Sequence, residues 1–160
     1  KMIIAEGMDT GILDLHSRRI MLNTLKFDDI YIKDIMIPKE KSIYMDINMS
    51  PKQIIATFKK YKFTRIPVYD EKIDNIIGIL NIKDIILKYG KESITGIDFK
   101  KLLRKPFFID KNDKVDETFK IMQLNSISMA IVKSESSVER NVTIEDMLEK
   151  IVGNIHYEFE

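Results

Sequence analysis

A threonine followed three residues later by an aspartate, at the predicted start of a helix, is the arrangement in this chain best suited to hold a ligand. Thr143 and Asp146 stand in this relation after a short apolar strand. A hydroxyl and a carboxylate beside free backbone N–H groups, which carry partial positive charge, suit a ribose and a phosphate. On local grounds the same pair is a helix cap, close to a capping box. The two residues alone leave both interpretations open.

An altered copy of this pattern lies earlier in the chain. Asn81 and Asp84 occupy the corresponding positions, and Asp84 precedes Asp146 by 62 residues. The flanking segments are FTRIPVYDEKIDNIIGILNIKD, residues 63–84, and ISMAIVKSESSVERNVTIED, residues 127–146. Both have the order of an apolar strand, a polar turn, a second apolar strand and a helix. This self-similarity indicates a tandem of small supersecondary units.

The elements that position these residues follow the order β-α-β-β-α in each repeat, which predicts an α/β (α+β) fold. In the first repeat the predicted elements are a strand at 43–45, a helix opened by Ser50-Pro51, strands at 66–69 and 76–80, and a helix at 82–89 capped by Asn81 and ended by Gly90. In the second they are a strand at 107–109, a helix capped by Asn112 or Asp113, strands at 129–132 and 141–143, and a helix at 144–152.

The periodicity of the first residues predicts an amphipathic helix at 12–25. The predicted domains are an N-terminal linker with this helix at 1–27, a first repeat at 28–92, a second repeat at 93–155 and a tail at 156–160.

Composition excludes several classes of function. Lys and Arg number 26 against 25 Asp and Glu, so no field of the whole chain recruits nucleic acid or an anionic membrane. The absence of cysteine and the presence of only two histidines predict no disulfide framework and no metal site. No apolar run approaches the roughly 20 residues that span a bilayer, and the chain begins at Lys1, as a soluble piece of a longer protein would. No catalytic motif is present, so we expect a binding module rather than an enzyme.

Four segments resemble those of a known family. Residues 34–39 (DIMIPK) are similar to its DIMTPR, residues 64–69 (TRIPVY) to SRIPVY, residues 128–132 (SMAIV) to HMAIV, and residues 143–153 (TIEDMLEKIVG) to TLEDILEEIVG. Together with the repeated motif they resemble the tandem CBS domain, or Bateman module, of the CorC, hemolysin-C-like and cyclin M-type magnesium transport family.

The resemblance implies a fold and a function. The two repeats would pack as a pseudo-twofold pair, bind ATP or AMP, with or without Mg²⁺, and form a homodimer through the CBS pairs. Nucleotide binding would change the conformation of the dimer and act on a transmembrane domain of the full-length protein, at the cytoplasmic face of the membrane. The alternative is a structural dimerisation module that binds no ligand. The family's historical hemolysin label has no support in the residues themselves.

The resemblance also assigns residues to a nucleotide site. Thr143, Asp146, Thr64 and Arg65 form one site, with Ile127, Met129 and Ala130 as an apolar wall for the base. Asn81 and Asp84 belong to a second candidate cleft, which we expect to be empty because Asn81 replaces the usual hydroxyl residue and leaves Asp84 as a helix cap. Residues 134–141 (SESSVERN) lack the glycines of the family's DEYGGTAG turn, which predicts that the nucleotide cleft of the second repeat, at Thr143 and Asp146, is reshaped and binds nucleotide more weakly.

Overall fold

Two three-stranded sheets and four α-helices make up the part of the chain that the computed structural model describes, residues 30–35, 42–90, 96–135 and 137–159. In chain order the elements are β1 (Met45–Asp46), α1 (Pro51–Tyr61), β2 (Arg65–Asp70), β3 (Lys72–Asn81), α2 (Ile82–Tyr89), β4 (Phe108–Ile109), α3 (Val115–Leu124), β5 (Met129–Ser134), β6 (Ser137–Thr143) and α4 (Ile144–Phe159). Short 3₁₀ helices lie at Ile32–Asp34 and Phe99–Leu102. The predicted mixed α/β class is confirmed, and the predicted helix at 12–25 lies outside the described residues.

Helix α1 begins where the sequence places a strong start signal. The Ser50 hydroxyl accepts a hydrogen bond from the Gln53 N–H at 3.2 Å, and the Gln53 side chain accepts one from the Ser50 N–H at 2.9 Å. This reciprocal capping satisfies two backbone donors that a helix leaves without partners. Ile54 and Phe58 are buried, and the helix ends at Tyr61, which is followed by the C-cap Lys62 with a left-handed φ of 56°.

The first sheet has the order β1-β2-β3, with β1 parallel to β2 and β2 antiparallel to β3. The hairpin between β2 and β3 is tighter than predicted, because Glu71 adopts a φ of 65° and β3 starts at Lys72. The first four residues of β3 are exposed, and three of them, Lys72, Asp74 and Asn75, are polar, which is why the sequence pattern predicted a turn there. From Ile76 onward the strand is largely buried.

A proline fits the middle of this sheet because of the register of the strands. Pro67 lies opposite Ile79, and both backbone groups of Ile79 bond to Arg104 on the other side, at 2.9 Å each. Pro67 and Ile79 therefore form a non-hydrogen-bonded pair, so the ladder between β2 and β3 does not use the N–H that proline lacks. Segment 103–104 approaches β3 closely at Gly78, where a Cβ would lie 2.7 Å from the Cβ of Leu103.

The second repeat has the strand order β4-β5-β6, with β4 parallel to β5. The predicted cap of α3 at Asn112 or Asp113 is wrong: Lys114 is the N-cap and makes no side-chain capping bond. The N–H of Val115 instead donates to the carbonyl of Ile30 at 3.0 Å, so backbone replaces the missing side-chain cap. Strand β6 begins four residues earlier than predicted, and α4 continues to Phe159, past the predicted end at 152.

The described residues divide into two units, each of which draws on both repeats. One contains residues 30–35, 111–128 and 143–159, where α3 packs against α4. The other contains residues 42–90, 96–110 and 129–142 and therefore both sheets. One apolar cluster of this unit joins strands from the two repeats, through Ile76, Ile79, Met129, Ile131 and Val138. Within the described part of the chain, no helix combines the length and the apolarity needed to cross a bilayer.

Candidate functional site

Thr143 and Asp146 are held together by two hydrogen bonds at the start of α4. The Thr143 N–H donates to Oδ2 of Asp146 at 2.9 Å, and the Asp146 N–H donates to the Thr143 hydroxyl oxygen at 3.2 Å. The pair is thus a capping box, as its sequence alone indicates. Capping leaves part of both side chains available, because the Thr143 hydroxyl keeps its proton to donate and a carboxylate accepts more than one hydrogen bond.

The same backbone frame supports both copies of the motif. The N–H of Ile144, the first residue of α4, donates to the carbonyl of Ser128 at 2.9 Å. The N–H of Ile82, the first residue of α2, donates to the carbonyl of Thr64 at 2.9 Å. In each copy the residue before the motif's polar residue is a buried apolar one, Leu80 or Val142. The two copies therefore differ in side-chain chemistry rather than in backbone path.

The first motif has a different arrangement of hydrogen bonds. The buried Asn81 side chain accepts from the N–H of Lys83 at 2.9 Å and so caps α2 by itself. Asp84 does not cap the helix, contrary to expectation. Its Oδ2 accepts from Nε of Arg104 and its Oδ1 accepts from Nη2 of Arg104, both at 2.7 Å.

This bidentate ion pair fixes the charge state of the first motif. The Arg104 hydrogen bonds lower the pKa of the Asp84 carboxyl below its ordinary value, outweighing the opposite effect of partial burial. The same contact raises the pKa of Arg104. Both oxygens of Asp84 are engaged, whereas Asp146 accepts the Thr143 N–H through Oδ2 alone. A ligand at the first motif would have to displace a guanidinium.

Thr64 and Arg65 lie at the junction of α1 and β2. Thr64 supplies the carbonyl that receives the first N–H of α2, and Arg65 is the first residue of β2, opposite Asn81 in the β2–β3 ladder. Both side chains are half-buried. Each therefore adjoins the first motif.

The three apolar residues assigned to the base lie around the start of β5. Ile127 precedes the strand, is half-buried, and donates its N–H to the carbonyl of Met122 at 2.8 Å. Met129 and Ala130 are the first two residues of β5 and are buried. Met129 packs in the apolar cluster with Ile76 and Ile79.

Thr64, Arg65, Met129 and Ala130 belong to the unit with the two sheets, and the other three assigned residues belong to the other unit. Their grouping into one nucleotide site stays a prediction.

Sequence reasoning missed Arg104 and a polar group around Tyr44. The Tyr44 phenol is largely enclosed, and burial raises its pKa against the lowering effects of Ser42, Asn141 and Arg140. The link between residue 44 and residues 140–141 spans most of the chain, so no local pattern reveals it. Arg104 stands 20 positions from Asp84, and the one local signal was Gly78, which leaves room for the segment that carries Arg104.

No group of three or more His, Asp or Glu side chains that could hold a metal ion occurs among the described residues.

Comparisons with known proteins agree on one kind of domain. The family model described as CBS domain matches residues 32–91. The chain is 30% identical over 159 residues to the magnesium and cobalt efflux protein CorC of Pasteurella multocida, covering 99% of this chain and 53% of that protein. It is 31% identical over 144 residues to hemolysin C of Brachyspira hyodysenteriae, covering 89% and 52%. The chain thus spans about half the length of the curated relatives that it matches.

Three solved structures that are similar to this chain are also CBS domains. The CBS domain of a bacterial CNNM/CorC family Mg²⁺ transporter in complex with ATP superposes with a TM-score of 0.74 at 26% identity, covering 86% of this chain and 98% of that one. A CBS domain from Clostridium difficile 630 has a TM-score of 0.71 at 30% identity, with 81% and 99% covered. A CBS-domain pair with bound AMP from Klebsiella pneumoniae has a TM-score of 0.67 at 25% identity, with 78% and 100% covered.

Proposed function

Because this chain belongs to the CBS-domain family, as a CBS pair of the kind found in CorC and hemolysin C proteins, we propose that it is a regulatory module that binds an adenine nucleotide, ATP or AMP. Two solved relatives, one in complex with ATP and one with AMP, support the class of ligand. In this proposal the module has a regulatory and not a catalytic role.

The observation that carries the proposal is the geometry of Thr143 and Asp146 at the start of α4. In the proposal the uncommitted oxygen of Asp146 accepts from the ribose hydroxyls, while the Thr143 hydroxyl donates to a phosphate oxygen. The first N–H groups of α4 add partial positive charge beside the phosphate. The capping bonds hold both side chains in place, so that little conformational entropy is lost when the ligand binds.

The remaining assigned residues keep their predicted roles. Arg65 supplies a planar fork of donors for phosphate oxygens, and Thr64 supplies a hydroxyl beside it. Ile127, Met129 and Ala130 contact the base. Asn81 and Asp84 do not take part, because Arg104 occupies the carboxylate on which a second ligand would depend.

Homodimerisation and coupling to a membrane domain complete the proposal. Leu87 on α2 is 84% exposed and Leu124 on α3 is 79% exposed, which favours burial of these helices against another chain. The full-length protein would carry a transmembrane domain and hold this module at the cytoplasmic face. Nucleotide binding would alter the dimer by favouring the state that it binds more tightly. The relatives named as magnesium and cobalt efflux proteins make transport of such ions the activity that we propose is regulated.

A thermal unfolding experiment with ATP or AMP, with and without Mg²⁺, tests nucleotide binding. A ligand at one hundred times its Kd stabilises the folded state by about 2.7 kcal/mol. For a chain of this size that corresponds to a rise of about 5–10 °C in the unfolding midpoint. We expect Asp146→Asn and Thr143→Val to abolish the rise.

Asp84→Asn is the matched control, because it makes the same change at the same position of the other motif. We expect this variant to keep the full ligand-induced rise, although it unfolds at a lower temperature without ligand. If Asp84→Asn removed the rise and Asp146→Asn preserved it, the ligand would bind at the first motif, and the assignment to Thr143 and Asp146 would be wrong.

The second candidate function, a structural dimerisation module, is favoured by the same exposed Leu87 and Leu124 side chains. It predicts a dimer in sedimentation that Leu87→Glu dissociates, with no change in the unfolding midpoint for any adenine nucleotide.

A further inference from the structure

Positive charge is segregated in one part of this nearly neutral chain. Between Asp46 and Asp70 there is no acidic residue, whereas this stretch contains five cations, Lys52, Lys59, Lys60, Lys62 and Arg65. The whole chain carries a formal charge of only +1. A local positive field can thus exist here although the whole-chain balance predicts none.

Three of these lysines surround two exposed aromatic rings at the end of α1. Lys59, Lys60 and Lys62 are exposed, Tyr61 is 39% exposed and Phe63 is 43% exposed. We call residues 59–63 the lysine–aromatic tip. Tyr61 ends the helix, and the left-handed conformation of Lys62 reverses the chain there. The reversal brings the rings of Tyr61 and Phe63 into a stack, with centroids 6.2 Å apart and planes inclined by 13°.

The lysines of the tip have no acidic partner in the part of the chain that the structure describes. The Nζ of Lys60 lies 5.1 Å from the centre of the Tyr61 ring, a cation–π contact that leaves its charge in place. The tip therefore combines three uncompensated charges with apolar surface.

The helix dipole of α1 accounts for only some of the lysines at the tip. Lys59 and Lys60 lie in the last turn of the helix, where cations are favoured. Lys62 lies beyond the helix, and the dipole gives no reason for two large rings to stay in water. An apolar ring at a tip surrounded by lysines is the composition that membrane–water interfaces favour.

We propose that the lysine–aromatic tip docks on a membrane surface rich in anionic lipid headgroups. The lysines would lie at the level of the phosphates, and the rings of Tyr61 and Phe63 would enter the boundary between headgroups and acyl chains. This contact is independent of the nucleotide site, because none of residues 59–63 is assigned to it.

A lipid surface fits these residues better than a nucleic acid does. Proteins that hold single-stranded nucleic acid without base readout stack successive bases on open ring faces, along a groove that follows the backbone. At the tip, Phe63 and Tyr61 already stack on each other and Lys60 lies over Tyr61. The surface offered is a short segment of exposed lysines and stacked rings, which suits insertion into an interface.

Co-sedimentation of the 160-residue chain with lipid vesicles tests the proposal. We expect binding to vesicles of phosphatidylcholine mixed with phosphatidylglycerol, weakening as salt is added, and little binding to pure phosphatidylcholine. Each lysine near an anionic surface contributes about fivefold in binding. The variant K59Q/K60Q/K62Q should therefore bind about 100-fold more weakly, and Y61S/F63S should also bind more weakly.

The matched control is K100Q/K101Q/K105Q, which removes three exposed lysines elsewhere in the same unit. We expect this variant to bind anionic vesicles nearly as well as the unaltered chain. Circular dichroism checks that each variant is folded. Equal weakening by the two triple variants, or equal binding to neutral and anionic vesicles, would overturn the proposal. So would tip-dependent binding of a single-stranded oligonucleotide by a chain that does not bind vesicles.

Discussion

The ion pair between Asp84 and Arg104 can be measured by a double-mutant cycle. The cycle compares the free energies of unfolding of the unaltered chain, Asp84→Asn, Arg104→Gln and the double variant, so that changes unrelated to the pair cancel. Both contacts are 2.7 Å long and form a bidentate fork, the strongest geometry for an arginine and a carboxylate. We expect a favourable coupling energy at neutral pH.

The exposure of the two side chains limits the size of that coupling. The Asp84 side chain is 21% exposed and that of Arg104 is 58% exposed, so water and salt screen the attraction. Exposed pairs typically contribute 0.2–1 kcal/mol, and the bidentate geometry places this pair at about 1 kcal/mol. Added salt should reduce the value.

The pH dependence follows from the direction of the pKa shift. The pKa of Asp84 in the folded state lies below the ordinary value of 3.8, because Arg104 favours the ionised carboxylate. Its stabilising effect is therefore complete above the ordinary pKa and is lost as the pH falls through the folded-state pKa. Urea unfolding at about pH 7 and again at about pH 2 should give a coupling of about 1 kcal/mol and a coupling near zero, respectively.

Two results would refute this reasoning. A coupling below about 0.2 kcal/mol at neutral pH would mean that the fork stabilises the fold less than a typical exposed ion pair does. A coupling of unchanged size in acid would mean that the two residues interact through something other than the charge of Asp84.

Three further substitutions and one control substitution test the packing and capping described above by urea unfolding. Gly78→Ala should cost about 1–3 kcal/mol, because its Cβ would lie 2.7 Å from that of Leu103, and an unchanged midpoint would show that the 103–104 segment moves aside freely. Ser50→Ala should cost about 1 kcal/mol of unfolding free energy through loss of the α1 cap. The control Ser137→Ala, which removes a hydroxyl with no capping bond, should cost less than about 0.5 kcal/mol. Equal costs would contradict the assignment of Ser50 as the α1 cap. Phe119→Ala should cost about 3–5 kcal/mol because its ring is fully buried, and a loss below about 1 kcal/mol would place it outside the core.

Features encoded within one turn of backbone were predictable from the sequence. The start of α1 at Ser50-Pro51, the cap of α2 at Asn81 and its end at Gly90 all depend on residues at most four positions apart, and all are confirmed. The cap of α3 was not predictable, because the carbonyl that receives the Val115 N–H comes from Ile30, far away in the chain.

The candidate site likewise has one feature that the sequence predicted and one that it did not. The reciprocal bonds of Thr143 and Asp146 follow from their spacing, and the structure has them. The role of Asp84 does not follow from its spacing to Asn81, because a partner 20 residues away determines it. Asparagine contributes to this difference: its side chain caps α2 alone and leaves Asp84 available to Arg104. Two motifs with the same sequence pattern can therefore have different chemistry, because Arg104, which is distant in sequence, pairs with the carboxylate of one of them.

The unit that contains both sheets packs residues of the two repeats against each other. Ile76 and Ile79 of the earlier copy are covered by Met129, Ile131 and Val138 of the later one, and the Val138 N–H donates to Oδ1 of Asp74 at 2.8 Å. A half-chain ended near residue 92 would expose those isoleucines to water. The two repeats thus share one core, and we expect that neither repeat folds stably when it is expressed without the other.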